Sequence, residues 1–158
     1  MTPIFFLEQL VKYVTILTKN YKCPTADDNE KDIAVYAQEL PVKTDSVQKY
    51  CPFILCRITG GEDTAGKSSI VRIRIIFGTV DKDIEQSWLT LLNALNHIRQ
   101  ELLKNRGVKI GADYYGRLLL PMKYQVEAPQ PYPLGYGFID TEWEIPQLVE
   151  EEKYFEKR

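Results

Sequence analysis

The sequence predicts an α+β fold: a single mostly antiparallel or mixed sheet of about five strands, with two helices on one face, in the order α-β-β-β-α-β-β. Three observations carry this expectation. The run "SIVRIRIIFGTV" (69–80) alternates Val71, Ile73, Ile75 and Phe77 with Arg72 and Arg74, the period-2 signature of a half-buried strand. Two other stretches place apolar residues at the 3–4 spacing of one helical face. The predicted strands fall into two clusters joined by short connections, which favours antiparallel pairing over repeated βαβ crossovers.

Taken in order, residues 3–20 read as an amphipathic helix. Thr2 is placed to cap it, Pro3 suits its first position, and Leu7, Leu10, Val11, Val14 and Leu17 form its apolar stripe. Lys19 and Lys22 suit the negative end of the helix dipole, and Pro24 blocks continuation. The polar run "TADDNEKD" reads as a loop. "IAVYAQEL" (33–40) reads as a short strand, and "PFILCRIT" (52–59), apolar on both faces near its start, as a central one.

The clearest helix is expected near 84–105, roughly 33 Å long at the usual rise. Asp83 and Gln86 resemble a capping box; Ile84, Trp88, Leu91, Leu92, Leu95, Ile98 and Leu102 form the stripe. Lys104 and Arg106 complement its C-terminus, and Gly107 is the expected left-handed cap. "RLLLPMKYQVEA" (117–128) alternates Leu118, Leu120, Met122, Tyr124 and Val126 against Lys123, Gln125 and Glu127, with Pro121 marking an edge or a bulge. "YGFIDTEWEIP" (136–146) sets Ile139, Trp143 and Ile145 against Asp140, Glu142 and Glu144. Residues 1–146 read as one domain, and 147–158 as a charged tail.

Composition narrows the function classes. The 158 residues suffice for one core, and a net charge of −2 disfavours a protein held to nucleic acid by electrostatics. Cys23, Cys51 and Cys56 lack metal-ligand spacing and suit buried free thiols in a reducing cytoplasm. The apolar N-terminal run lacks a basic leader and is interrupted by Glu8, Gln9 and Lys12, so a soluble intracellular protein is expected, with no membrane partner.

"GEDTAGKS" (61–68) fits the phosphate-loop pattern G-x-x-x-x-G-K-[ST] through Gly61, Gly66, Lys67 and Ser68. That chemistry needs a helix N-terminus directed at the phosphate. The β-branched run after Ser68 predicts a strand instead, so the segment is expected to be a hairpin tip of about nine residues, long for its class. His97, the sole histidine, has no nucleophile assigned to it by spacing. Glu142 and Glu144, two apart on a strand, superficially match a glycosidase acid pair, but Arg72, Arg74 and Lys123 on the same predicted face make them more ordinary partners of basic residues. Arg57 and Gln125 share that face, a candidate subunit-interface rim. Tyr132 and Tyr136 in the proline-rich connection, with Tyr114 and Tyr115, are candidates for aromatic contacts.

The stretches "YCPFILCRITGGED", "VRIRIIFGTVDKDIEQSWLTLLNALNHIRQELLKNRG" and "PYPLGYGFIDTEWEIPQ" together give the chain a resemblance to the tail terminator, or tail completion, proteins of long-tailed bacteriophages and prophages. The resemblance covers about residues 50–146 and rests on element order, with no single diagnostic motif. It implies a small α+β subunit of a ring, a hexamer, on the head-proximal end of the tail tube. Such a ring stops tube growth and joins tail to head, with the tube protein and the head connector as partners. It implies assembly in the bacterial cytoplasm and residence in the virion tail, with no catalytic residue, cofactor or metal. Interface candidates are Glu62, Asp63, Lys67, Arg72, Arg74, Lys123, Tyr132, Tyr136, Glu142 and Glu144. The competing readings are a nucleotide-binding enzyme built on the 61–68 loop and a different head–tail neck adaptor.

Overall fold

The computed structural model describes residues 1–41 and 47–147. Helix α1 (Pro3–Leu17) is followed by short strands β1 (Lys22–Pro24), β2 (Glu30–Asp32) and β3 (Ala34–Ala37), then a 3-10 turn at Val47–Tyr50. The long hairpin β4 (Phe53–Asp63) and β5 (Ser69–Val80) leads to helix α2 (Ser87–Asn105). Strands β6 (Gly107–Ile110), β7 (Asp113–Val126) and β8 (Leu134–Ile145) complete the fold. Six strands form one sheet in the order β3-β4-β5-β8-β7-β6, and β1 and β2 form a separate two-stranded ribbon. Every pair in the large sheet is antiparallel except β3–β4. The fold is therefore α+β.

Both helices cover one face of this sheet. Phe6, Leu10 and Val14 of α1 and Leu91, Leu95, Ile98 and Leu102 of α2 share a core with Val71, Ile73, Ile75, Phe77, Ile139, Trp143 and Ile145. Phe6 packs on Trp143 with ring centroids 5.5 Å apart, a tilted aromatic pair at the centre of the core. Thr2 caps α1 as expected, its hydroxyl accepting from the Phe5 N–H at 3.1 Å. The helix ends at Leu17 rather than residue 20. Phe6 and Tyr13 lie in the buried face outside the expected stripe, while Val11 and Leu17 are only half-buried.

Several local expectations fail for identifiable reasons. α2 starts at Ser87, because 84–86 form a turn held by Asp83; the Gln86 side chain makes no capping bond, so there is no capping box. Ile84 and Trp88 are thereby left exposed instead of joining the stripe. The left-handed cap is Arg106, at φ 51°, and not Gly107. Gly107 instead opens β6, where an added Cβ would meet the Tyr114 ring at 2.6 Å. The run read as a loop after Pro24 contains the five-residue turn (25–29) of the β1–β2 ribbon and its second strand, Glu30–Asp32, which is fully exposed and has no periodicity to announce it. In β7 the register slips between Leu119 and Lys123, the bulge anticipated at Pro121. The slip is of two residues, so Leu118 and Tyr124 still share the helix face, but Leu120 within it and Tyr124 beyond it are exposed.

The opposite face of the sheet is divided. At the end bearing Phe53, Leu55, Ile76 and Val80, a second apolar cluster forms under Tyr36, Leu40 and Tyr50, with Tyr136 and Phe138 packed against it. This accounts for a β4 start that is apolar on both faces. The charged tail expected over 147–158 lies outside the described residues from 148 onward.

Candidate functional site

The remainder of that open face is a ladder of opposite charges. Antiparallel register puts Arg74 across from Asp140, Arg72 across from Glu142, and Glu144 across from Arg117. Arg74 donates twice to Asp140, Nε to Oδ1 at 2.8 Å and Nη2 to Oδ2 at 3.2 Å. These bonds raise the Arg74 pKa above its ordinary value, holding the guanidinium charged. Its Cζ also sits 3.9 Å from the centroid of the Phe138 ring. Arg72 lies between Glu62 (3.4 Å) and Glu142 (3.6 Å), and Arg117 reaches Glu144 at 3.0 Å. Arg57 and Arg74 are direct cross-strand neighbours, a repulsive placement. Arg57 turns away to the Gln38 carbonyl (3.0 Å) and Glu39 (3.3 Å).

Where β7 bulges, this face holds a depression of about 360 Å³ whose walls include Arg72, Arg74, Lys123, Asp140 and Glu142. Beneath it Thr141 donates to the Ile73 carbonyl at 2.7 Å and accepts from the Trp143 indole at 2.7 Å, so the floor is internally bonded. Glu142 and Glu144 each face a guanidinium, which gives them the surroundings of structural ion-pair members. Among the described residues, no group of three His, Cys, Asp or Glu is placed to hold a metal. No helix there is long and apolar enough to cross a membrane.

The 61–68 segment divides between strand and turn. Gly61, Glu62 and Asp63 belong to β4, and the tip proper is Thr64–Ser68, closed by Lys67 N–H donating to the Thr64 carbonyl at 3.1 Å with Gly66 at φ 72°. The tip is thus five residues between strands instead of the expected nine, because β4 runs on to Asp63, beyond its apolar pattern, while β5 starts at Ser69. Ser68 leads into β5, so the helix N-terminus that a phosphate loop requires is not adjacent to Gly66 and Lys67. The Gln147 side-chain amide donates to the Thr64 carbonyl and ties the tip to the end of β8.

Of the interface candidates, Glu62, Arg72, Arg74, Lys123, Glu142 and Glu144 share the ladder face, and Asp63 and Lys67 lie at the adjoining hairpin end. Tyr136 sits at the far, apolar end of the face; Tyr132 is on the connecting loop, with its hydroxyl donating to the Lys82 carbonyl. Asp140 and Arg117 complete the ladder and were not among the candidates. Asp140 had the right strand parity, and Arg117 opened the predicted strand. His97 is a brace: its Nε2 lies 2.8 Å from the Leu17 carbonyl and its ring stacks on Tyr21 at 4.8 Å. The three cysteines are buried and free, and burial pushes Cys23 up to about 11 and Cys51 and Cys56 up to about 12. No protein-family model matches the chain, and no curated protein matches it with significance.

Proposed function

We propose that this chain is a structural virion protein: a subunit of a ring, a hexamer, that caps the head-proximal end of a phage or prophage tail tube, ends its growth and joins tail to head. Two lines support the reading. One is the resemblance of residues 50–146 to tail terminators. The observation that carries the reading physically is the sheet's division of labour. One face is spent on its helices, and the other presents ion pairs of both signs beside a projecting hairpin. A head-to-tail ring needs two different complementary surfaces on each subunit, besides faces for the tube and the connector. Mixed charge arranged in rows gives such surfaces a register.

Imaging particles from a phage or prophage that lacks this protein tests the reading. Overlong, headless tails are the expected result. Normal-length tails with unjoined heads would overturn termination in favour of a neck adaptor. The nucleotide alternative is checked by calorimetric titration with magnesium and ATP. Binding that disappears in Lys67→Ala would replace the architectural reading by an enzymatic one.

A further inference from the structure

Two strand edges are left open on opposite sides of the large sheet. β3 covers β4 only from Phe53 to Cys56, and among the described residues no strand pairs with the outer edge of β4 over Gly60–Asp63. On the other side β6 covers β7 only from Asp113 to Arg117, and no described strand pairs with the outer edge of Met122–Val126. Open edges of this kind are pairing surfaces. We propose that they pair with each other between two copies of this chain, Gly60–Asp63 of one against Met122–Gln125 of the next, extending the sheet from subunit to subunit. The proposal gives the contact within the ring reading above, although the pairing itself rests on the edges alone.

Strand direction, face parity and side-chain fit of the two edges agree in one register. The strands between them alternate in direction: β4 is antiparallel to β5, β5 to β8, and β8 to β7. A second copy that continues the sheet with the same face up therefore meets β4 in an antiparallel sense. In the register that sets Glu62 against Lys123, Gly60 faces Gln125, Gly61 faces Tyr124 and Asp63 faces Met122. Opposed residues must share a face. Glu62, Gly60, Lys123 and Gln125 lie in rows of the open face, through Ile70, Arg72, Asp140 and Phe138 respectively. Gly61 and Tyr124 lie in rows of the helix face, through Val71 and Ile139, so the parities match.

The chemistry matches as well. Glu62 and Lys123 carry opposite charges, and Tyr124, half-exposed on its own subunit, comes to lie over a glycine, where no side chain blocks the ring. Pro121, which lacks an N–H to donate, falls just outside the paired stretch. The two open stretches lie in different halves of the sheet, level with Trp143 and with Ile139. Successive copies are accordingly stepped along the strands by about four residues, roughly 14 Å. The interface is heterologous, as a closing ring requires.

Charge swapping read by sedimentation equilibrium at low salt tests the contact on the full chain. Glu62→Lys alone and Lys123→Glu alone should each weaken self-association by about tenfold or more. An equimolar mixture of the two should restore opposite charges at every contact, the two variants alternating, and regain assembly. The chain carrying both changes should assemble like the original. In a second arm, Gly60→Cys mixed with Gln125→Cys should yield an intersubunit disulfide on mild oxidation, and Gly60→Cys with Lys123→Cys should yield far less. A ring that forms with all three charge variants alike, without the disulfide, would overturn the edge pairing and leave the ring reading standing. An original chain that stays monomeric, both alone and with tail tubes, would overturn both.

Discussion

Arg74 and Asp140 form a two-pronged ion pair across β5 and β8, and the same guanidinium sits over the ring of Phe138, two residues before Asp140. It therefore joins the two parts of the open face, the charged ladder and the apolar cluster. Both partners are nearly half-exposed, at 41% and 46%, so solvent screening limits the pair's value. A double-mutant cycle on Arg74→Met and Asp140→Asn should give a coupling of about 0.5–1 kcal/mol. Arg74→Lys should recover only part of it, since an ammonium cannot reproduce the fork. Urea unfolding of the four chains measures this.

His97 satisfies a carbonyl at the C-terminal end of α1, one of the groups every helix leaves without an internal donor. His97→Ala should cost about 1–2 kcal/mol, from an orphaned carbonyl and a lost stack on Tyr21. His97→Phe separates the two contributions by keeping the ring and losing the bond. Equal losses in both variants would locate the effect in the hydrogen bond alone.

The Thr79 hydroxyl is buried and has no hydrogen-bond partner among the described residues. Thr79→Val keeps the shape and removes the desolvated oxygen. It should raise stability by about 1 kcal/mol, seen as a higher thermal midpoint.

Gly116 lies against the core: a Cβ there would come within 2.5 Å of Phe6 and 3.1 Å of Ile145. Phe6 is fully buried against Trp143 and has nowhere to retreat. Gly116→Ala should destabilise by about 1–3 kcal/mol and loosen α1, measurable as a lower urea midpoint. Gly60→Ala, where an added Cβ meets nothing within 4 Å, is the matched control and should leave the midpoint within about 0.5 kcal/mol.

The thiols give a pH dependence whose sign is fixed. Burial raises Cys23 to about 11 and Cys56 to about 12, against an ordinary value of 9.0. The fold therefore favours the neutral thiol. Unfolding frees it to ionise once the pH passes about 9, so the contribution is complete below that pH and is lost as the pH climbs toward 11–12. Thermal midpoints should fall across this window, and less steeply in Cys23→Ala and Cys56→Ala. A thiol reagent at neutral pH should react with all three cysteines only after denaturation.

Legibility in the sequence followed local periodicity. β5 could be bounded to the residue because Val71, Ile73 and Ile75 alternate with Arg72 and Arg74 and lead into a β-branched and apolar run, and Thr2-Pro3 announced the start of α1. The parity of Arg72, Arg74, Asp140, Glu142 and Glu144 fixed the ladder face before any coordinates, though which acid grips which base needed the register. What was illegible depended on context. Nothing at Ile84 or Trp88 reveals that the first falls in the turn before α2 and the second on its exposed side. Arg106 takes the left-handed position because Gly107 is needed for close approach to Tyr114. Short exposed strands such as β2 have no buried side to impose a pattern, and although Pro121 marks the bulge in β7, its two-residue extent shows itself only through the neighbour β8.

The second lid of apolar residues over Phe53, Leu55 and Ile76 makes the molecule unequal in thickness from end to end. Near that lid the backbone is shielded above and below. Toward the Thr64–Ser68 turn, one surface meets water directly. Deuterium should consequently enter from the turn and slow sharply at the level of Arg74. The thin end is the part able to flex against another body while the thick end keeps its shape.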